Sequence, residues 1–318
     1  MEEFIIMLRN VLMFVALAIP GYVLVKAKIL KPEQSGALSK LLMYLALPFM
    51  IFSGVVKNLS FDGGSLLMLG IVTLIGIVAV LGMFFVSAPL VKEKNPKTKG
   101  MMRFCAVFAN NGFLGIPLAV AVFGEDSPVF TVLIVLNIVN NVLMYTLGAY
   151  LATGDKKNIS VKKAFLNPVL VAFVLSCVCN LLGVAKAVPE VKTFSDHFSG
   201  IVTPVSMTVI GMKLGAIPFK TLFRSRKLYY VSFLKLILFP VVITAAMLVL
   251  KTVALGVPVE SIILGVFVAY AMPGAGLAAT FADEFGGDTE NAVIFTLGTT
   301  VLSVITIPTL YWLVNLFI

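Results

Sequence analysis

Two adjacent asparagines, two glycines and a proline interrupt an apolar run at Ala109-Asn110-Asn111-Gly112-Phe113-Leu114-Gly115-Ile116-Pro117. Asn110 and Asn111 bring amide donors and acceptors, and Gly112 lets backbone approach a ligand. Hydrocarbon offers no water to the backbone groups that glycine and proline set free, so a helix broken there must line protein or a wet cavity. Beyond the break, Pro117 fixes φ without needing an N–H partner and suits the start of a second half-helix. The N-terminal end of such a half-helix presents free N–H groups and a positive dipole, which fit a carboxylate. A second break, Ala271-Met272-Pro273-Gly274-Ala275-Gly276, interrupts another apolar run. Pro273 removes a donor there, and Gly274 and Gly276 loosen the helix around it. Two interrupted helices in corresponding halves point to the binding site of a secondary transporter. The competing explanation is structural, with asparagine as glue between helices and small residues as a packing surface.

Further polar groups fall in apolar runs. Asn137, Asn141 and Tyr145 are spaced by four and share a helix face, with Asn140 beside that stripe. They either complete a polar cavity or bond neighbouring helices. Lys235 is a lone charge well inside a run, about 12 Å from its basic end at 1.5 Å per residue. An intramembrane ionisable residue is a functional-site hypothesis by default: Lys235 would titrate or replace a bound cation during transport, with Asp283 and Glu284 as partners. Snorkelling to the interface is its bland alternative.

The elements that must hold these residues follow from composition. Of 318 residues, 60% are hydrophobic and 12% charged, with a mean hydropathy of +1.06, which leaves too little polar surface to cover a water-soluble globule. Apolar runs of about 20 residues predict a polytopic helical membrane protein. Ten spans are predicted, at 4–25, 35–56, 64–91, 101–124, 128–152, 165–184, 194–216, 227–250, 258–283 and 289–317. The first carries Glu2, Glu3 and Arg9 at its start and reads as a retained helix. Pro20, Pro48, Pro204, Pro240 and Pro308 are expected to kink helices.

Orientation follows from the basic connections. Those after the first, third, fifth and seventh spans hold most of the 24 lysines and arginines, among them Lys28, Lys94, Lys156, Lys157, Lys163, Lys213 and Arg224. That side should be cytoplasmic and both termini extracytoplasmic. The net charge of +9 is thereby a matter of topology, with no nucleic-acid partner expected. Cys105, Cys177 and Cys179 suggest neither a disulfide frame nor a metal site, and no metal or cofactor is expected. No phosphate loop, His-Glu-x-x-His or intramembrane aspartate pair is found, so an enzyme is not expected.

An internal repeat supports the count. At an offset of 162 positions Ala109 meets Ala271, Gly112 meets Gly274, Phe123 meets Phe285, Gly124 meets Gly286 and Asp126 meets Asp288. Asn137 and Asn141 then correspond to Thr299 and Ser303. Five spans per half make the two copies inverted, as in secondary transporters. The halves are 1–153 and 167–318, joined by a short cytoplasmic linker over 154–166.

Asn110-x-Gly112-Phe113-Leu114-Gly115-Ile116-Pro117-Leu118 resembles the broken fourth helix of the auxin efflux carrier family, which includes plant PIN-formed auxin transporters and bacterial carriers of malonate and malate. Met272-Pro273 with Phe281-Ala282-Asp283-Glu284-Phe285 resembles its ninth helix, and Leu47-Pro48 and Thr203-Pro204 resemble its second and seventh. The resemblance implies a ten-helix fold similar to sodium/proton antiporters and bile-acid symporters. Spans 1, 2, 6 and 7 would form a scaffold, and spans 3–5 and 8–10 a domain moving like an elevator in a homodimer. By the same resemblance Asn110 binds carboxylate, Asn140 stands where plant members have glutamine, and Tyr145 faces the ligand. The chain lacks the long central loop of the plant members and has Ala109 and Asn111 where they have proline and threonine, which favours the bacterial organic-acid branch.

The expectation is an all-α carrier of small mono- or dicarboxylates in a prokaryotic plasma membrane. Asn110, Asn111, Gly112, Asn140, Tyr145, Met272, Pro273 and Gly274 would bind substrate, and Pro117 and Pro273 would act as hinges. Lys235 and Asp283 would serve coupling to a proton or sodium ion. The alternatives are a cation-coupled bile-acid-like or auxin-like transporter, a ligand sensor without flux, and a channel.

Overall fold

Where water is absent, an apolar run satisfies its own backbone as helix, and proline and glycine decide where that regularity stops. In the computed structural model, which describes residues 2–154, 161–249, 251 and 257–318, every named element is helical. Each of the ten predicted ranges contains helix. They are α1 (Glu2–Lys26), α2 (Pro32–Asn58), α3 (Gly63–Leu90), α4 (Pro96–Val107), α5 (Asn111–Phe123), α6 (Pro128–Thr153), α7 (Pro168–Leu181), α8 (Pro189–Ala216), α9 (Arg226–Val249), α10 (Val259–Ala271), α11 (Ala278–Glu284) and α12 (Thr289–Asn315). Among the described residues seven helices are long and apolar enough to cross a membrane: α1, α2, α3, α6, α8, α9 and α12. The fourth and ninth predicted ranges are each split into two shorter helices, α4 and α5 in one and α10 and α11 in the other. Lys156 and Lys157 lie outside the described residues.

Three prolines act through the turn that precedes them, whereas Pro20, Pro204 and Pro308 lie in regular α-helix. Wide π-turns at Leu42–Ala46, Asn111–Gly115 and Leu234–Leu238 each end two residues before a proline, at Pro48, Pro117 and Pro240. A proline ring clashes with the carbonyl four residues back and donates no hydrogen bond, and widening the preceding turn relieves both. Pro117 stands in the first turn of the regular α-helix, Ile116–Phe123, and the π-turn before it extends the half-helix back to Asn111, where the amides of Leu114 and Gly115 both turn to the Asn110 carbonyl at 3.2 Å. A fourth π-turn, Met144–Gly148, carries Tyr145.

The helices form two sets of neighbours. α1 packs along α8, where Gly21 and Gly211 let the backbones touch: a Cβ on Gly211 would lie 1.9 Å from the Ala18 carbonyl oxygen. α2 packs on α7 and α8, tied by Asn180 Nδ2 to Leu59 O at 2.7 Å and by Ser195 Oγ to Phe49 O at 2.8 Å. In the second set α6 packs between α3 and α10, and α12 packs on α9, α4 and α11. α6 is the most enclosed of the long helices, with 78% of its most apolar window buried against 28% for α1 and α3. The sets meet where α1 touches α12 and α5, and where α2 touches α6. At one such place Lys57 on α2 pairs with Asp126 at 2.8 Å and Glu125 at 3.5 Å, in the turn between α5 and α6.

Candidate binding site at the crossed breaks

The two breaks lie against each other. The Asn110 amide donates to the Pro273 carbonyl at 2.9 Å, and the Ala275 amide donates to the Phe108 carbonyl at 3.0 Å. This is a one-residue antiparallel bridge, Ala109 opposite Gly274, in an otherwise helical protein. The bridge answers the question of where backbone freed by two broken helices finds partners in hydrocarbon. Part of what remains is satisfied by side chains of the helix that follows each break. Asn140 on α6 clamps Ala109 from both ends, its Oδ1 accepting from the amide and its Nδ2 donating to the carbonyl, each at 3.2 Å. Thr299 on α12 accepts from the Gly274 amide at 3.0 Å.

Beside the bridge is a cavity of about 40 Å³, walled by Asn110, Gly112, Asn137, Asn140, Asn141 and Gly276, with Met43 and Leu47 of α2 and Val169 of α7 closing it. Its wall holds unspent hydrogen-bonding capacity. The Asn110 side-chain amide makes no hydrogen bond among the described residues, although only 6% of the residue is exposed. Asn137 is 1% exposed; its Oδ1 accepts from Asn141 Nδ2 at 3.0 Å, while its own Nδ2 has no partner among the described residues. A buried amide donor without an acceptor, as at Asn137 Nδ2, costs on the order of 1–3 kcal/mol unless something accepts from it. A carboxylate is an acceptor-only group with lone pairs enough for both.

A larger cavity of about 200 Å³ lies between α1, α5, α8 and α12. Its polar members, Thr300 and Ser303, spend their hydroxyls on the Thr296 and Thr300 carbonyls. It therefore offers nothing to an anion, and size does not decide between the two cavities.

The expected site residues separate accordingly. Asn110, Gly112 and Asn140 reach the polar cavity, and Asn137, Asn141 and Gly276 join them there. Met272, Pro273 and Gly274 are buried in the bridge, with the Met272 side chain against Gly115, outside the cavity wall. Asn111 is buried and its Oδ1, which has no partner among the described residues, lies toward Gly115. Tyr145 packs its ring on Phe281, centroids 5.1 Å apart, and is not part of the cavity wall.

Lys235 is fully enclosed, and its Nζ has no hydrogen-bond partner among the described residues. It does not snorkel. Nor does it meet the carboxylates suggested for it: Asp283 is exposed, and Glu284 pairs with Lys163 at 2.5 Å. The π-turn of α9 turns it toward α4, where Cys105 is its neighbour. Lys213 departs most from its sequence reading as a topological charge. It lies within α8, part-buried, with Nζ 3.3 Å from the Gly276 carbonyl oxygen. Counting lysines by connection hides such a residue, because a long side chain three residues inside a helix end reaches either water or protein.

Known proteins match this chain along most of its length. A family model described as "Membrane transport protein" matches residues 6–311. An "Uncharacterized transporter" of Methanothermobacter thermautotrophicus is 26% identical over 309 residues, covering 94% of this chain and 96% of the relative. The "Uncharacterized transporter YfdV" of Escherichia coli K12 is 26% identical over 248 residues, 73% of this chain and 75% of its own length. A Methanocaldococcus jannaschii "Uncharacterized transporter MJ1031" is 27% identical over 215 residues, 64% of this chain and 68% of the relative.

Proposed function

The chain belongs to the membrane transport protein family, that of the auxin efflux carriers its motifs resemble, and from that premise we propose that it carries small organic anions whose carboxylate binds at the crossed breaks. The observation that carries the substrate class is the wall of the polar cavity, where the buried Asn137 Nδ2 has no partner among the described residues and the Asn110 side-chain amide is not engaged elsewhere. The N-terminal end of α5 adds its dipole at the same place, since the half-helix begins at Asn111. Asn140 acts one step behind, holding the Ala109 backbone in the conformation that aims Asn110.

Movement by an elevator is supported by the way the helices associate. α1 packs along α8 and α2 on α7 and α8, while the breaks and the cavity's asparagines belong to the other set. Met43, Leu47 and Val169 of the first set cover the site, so a shift of one set against the other would uncover it. In this reading the ten spans form two inverted repeats in a homodimer in a prokaryotic plasma membrane, with both termini extracytoplasmic. Lys235 couples transport to protons, or stands in for sodium beside the bridge.

The test is uptake of labelled mono- and dicarboxylates into proteoliposomes under separate proton, sodium and voltage gradients. Saturable uptake that is lost in Asn110→Ala, with the variant still folded, is the expected result. Ligand binding without flux would make the protein a sensor, and unchanged affinity in Asn110→Ala would move the site elsewhere.

A further inference from the structure

Among the described residues Lys213 forms no ion pair, and its Nζ donates one hydrogen bond, at 3.3 Å, to the neutral carbonyl of Gly276. That contact is a poor return for a part-buried ammonium. A charge taken from water is stabilised by an opposite charge or by several good hydrogen bonds, and Lys213 has neither. Gly276 is also where the Asn110 amide rests: a Cβ added there would lie 3.3 Å from Asn110 Oδ1 and 3.4 Å from Nδ2. One glycine thus separates an under-compensated cation from the amide with unspent donors, and the four-carbon stem of lysine spans such a gap.

A second observation points the same way. The cavity wall is neutral: it contains asparagines, glycines and apolar side chains but no lysine or arginine. A carboxylate held by amides alone would be a buried charge without a counter-charge, which is the expensive arrangement. The cation it lacks is the one waiting on Gly276. We propose that Lys213 is the cationic partner of the carboxylate bound at the crossed breaks, turning from the Gly276 carbonyl to the anion held by Asn110. This rests on the carboxylate reading given above and deepens it: the site takes one carboxylate per Lys213 and discriminates against uncharged analogues. It also draws the two sets of helices together around the substrate, because Lys213 stands on α8 and Asn110 on the break.

The experiment measures binding of propionate, malonate and malate to the purified protein by calorimetry, with the amide analogue of the tightest of them as the neutral control. Wild type should bind that anion and not its amide. Lys213→Gln should weaken binding at least tenfold, whereas Lys213→Arg, which keeps the charge, should stay within about threefold of wild type. Lys213→His guards against loss of folding in the glutamine variant, for its affinity should rise as pH falls through the range around 6.5 while that of wild type does not follow. Equal binding by Lys213→Gln and wild type, or a flat pH profile in Lys213→His, would overturn the proposal and leave Lys213 as a brace for the break. Full binding by Asn110→Ala alongside loss in Lys213→Gln would spare Lys213 and overturn the crossed-break site instead. Absence of binding of any of the three anions to wild type would overturn both.

Discussion

Asn140 and Asn110 are chemically the same residue and do different work. Asn140 spends both ends of its amide on Ala109. Asn140→Leu leaves a buried N–H and a buried C=O unpaired, so a loss of about 2–5 kcal/mol of stability is expected, seen as a lower thermal midpoint in detergent. Asn110 satisfies no one, and Asn110→Ala should leave the midpoint within about 1 kcal/mol of wild type while removing saturable uptake. If both variants lose the same property, the division of labour between them is wrong. Lys235 offers the converse case. An enclosed ammonium with no hydrogen-bond partner among the described residues costs stability, so Lys235→Met should be more stable by on the order of 1–4 kcal/mol, seen as a higher thermal midpoint, as apolar replacements of buried ions are. The same variant should flatten the pH dependence of uptake if Lys235 carries the coupling proton. A fall in the midpoint would show that the ammonium has a partner in the membrane.

At the scale of elements, the ends of helices carry the testable chemistry. Asp288 caps α12, its Oδ1 accepting from the Asn291 amide at 3.1 Å and its Oδ2 from the Thr98 hydroxyl at 2.5 Å and Asn291 Nδ2 at 2.8 Å. One carboxylate so joins the first turns of α4 and α12. Burial pushes the Asp288 carboxyl up, but the bonds from Thr98 and Asn291 outweigh it and hold it below the usual carboxylate range. Because the folded-state value is depressed, this stabilisation is present above the unfolded value of about pH 4 and is lost as pH falls through the folded one. Asp288→Ala should cost about 1 kcal/mol between pH 5 and 8, and unfolding curves of variant and wild type should converge below about pH 4. Nearby, the Lys227 ammonium at 2.7 Å holds the Glu93 carboxyl low in the same way, which keeps that end of the molecule charged through the same range.

For the whole molecule the question is what separates its two sets of helices. Lys57 with Glu125 and Asp126 joins them at one end, and Asn58 Nδ2 donates to the Glu125 carbonyl at 2.6 Å beside that pair. These carboxylates are largely exposed, so the tie is worth at most about 1 kcal/mol and is screened by salt. Replacing them together, Glu125→Gln with Asp126→Asn, should change the uptake rate by no more than about fivefold, with the difference shrinking as ionic strength rises. An unchanged rate at low salt would mean that this contact does not limit the proposed shift of one set against the other.

Much of the molecule is legible in its residue order. Apolar runs of sufficient length must be helices in a membrane, because only helix satisfies a single chain's backbone there. The same rule marks 109–117 and 271–276 as interruptions, since glycine and proline cannot be carried through a helix without cost. They stand 162 positions apart in the sequence and meet in the fold. Sequence alone could not say which polar atoms are already spent. Asn110 and Asn140 read alike until the fold brings Ala109 against Gly274 and hands Asn140 a backbone to hold. Asn137 and Gly276 join the site only because α6 and the second break converge on one cavity. Lys213 reads as one more positive charge in a basic connection, and Lys235 as a lysine able to reach the interface. Their surroundings are made by helices distant in sequence, and hydrogen bonding and burial are properties of neighbours, which only the tertiary structure supplies.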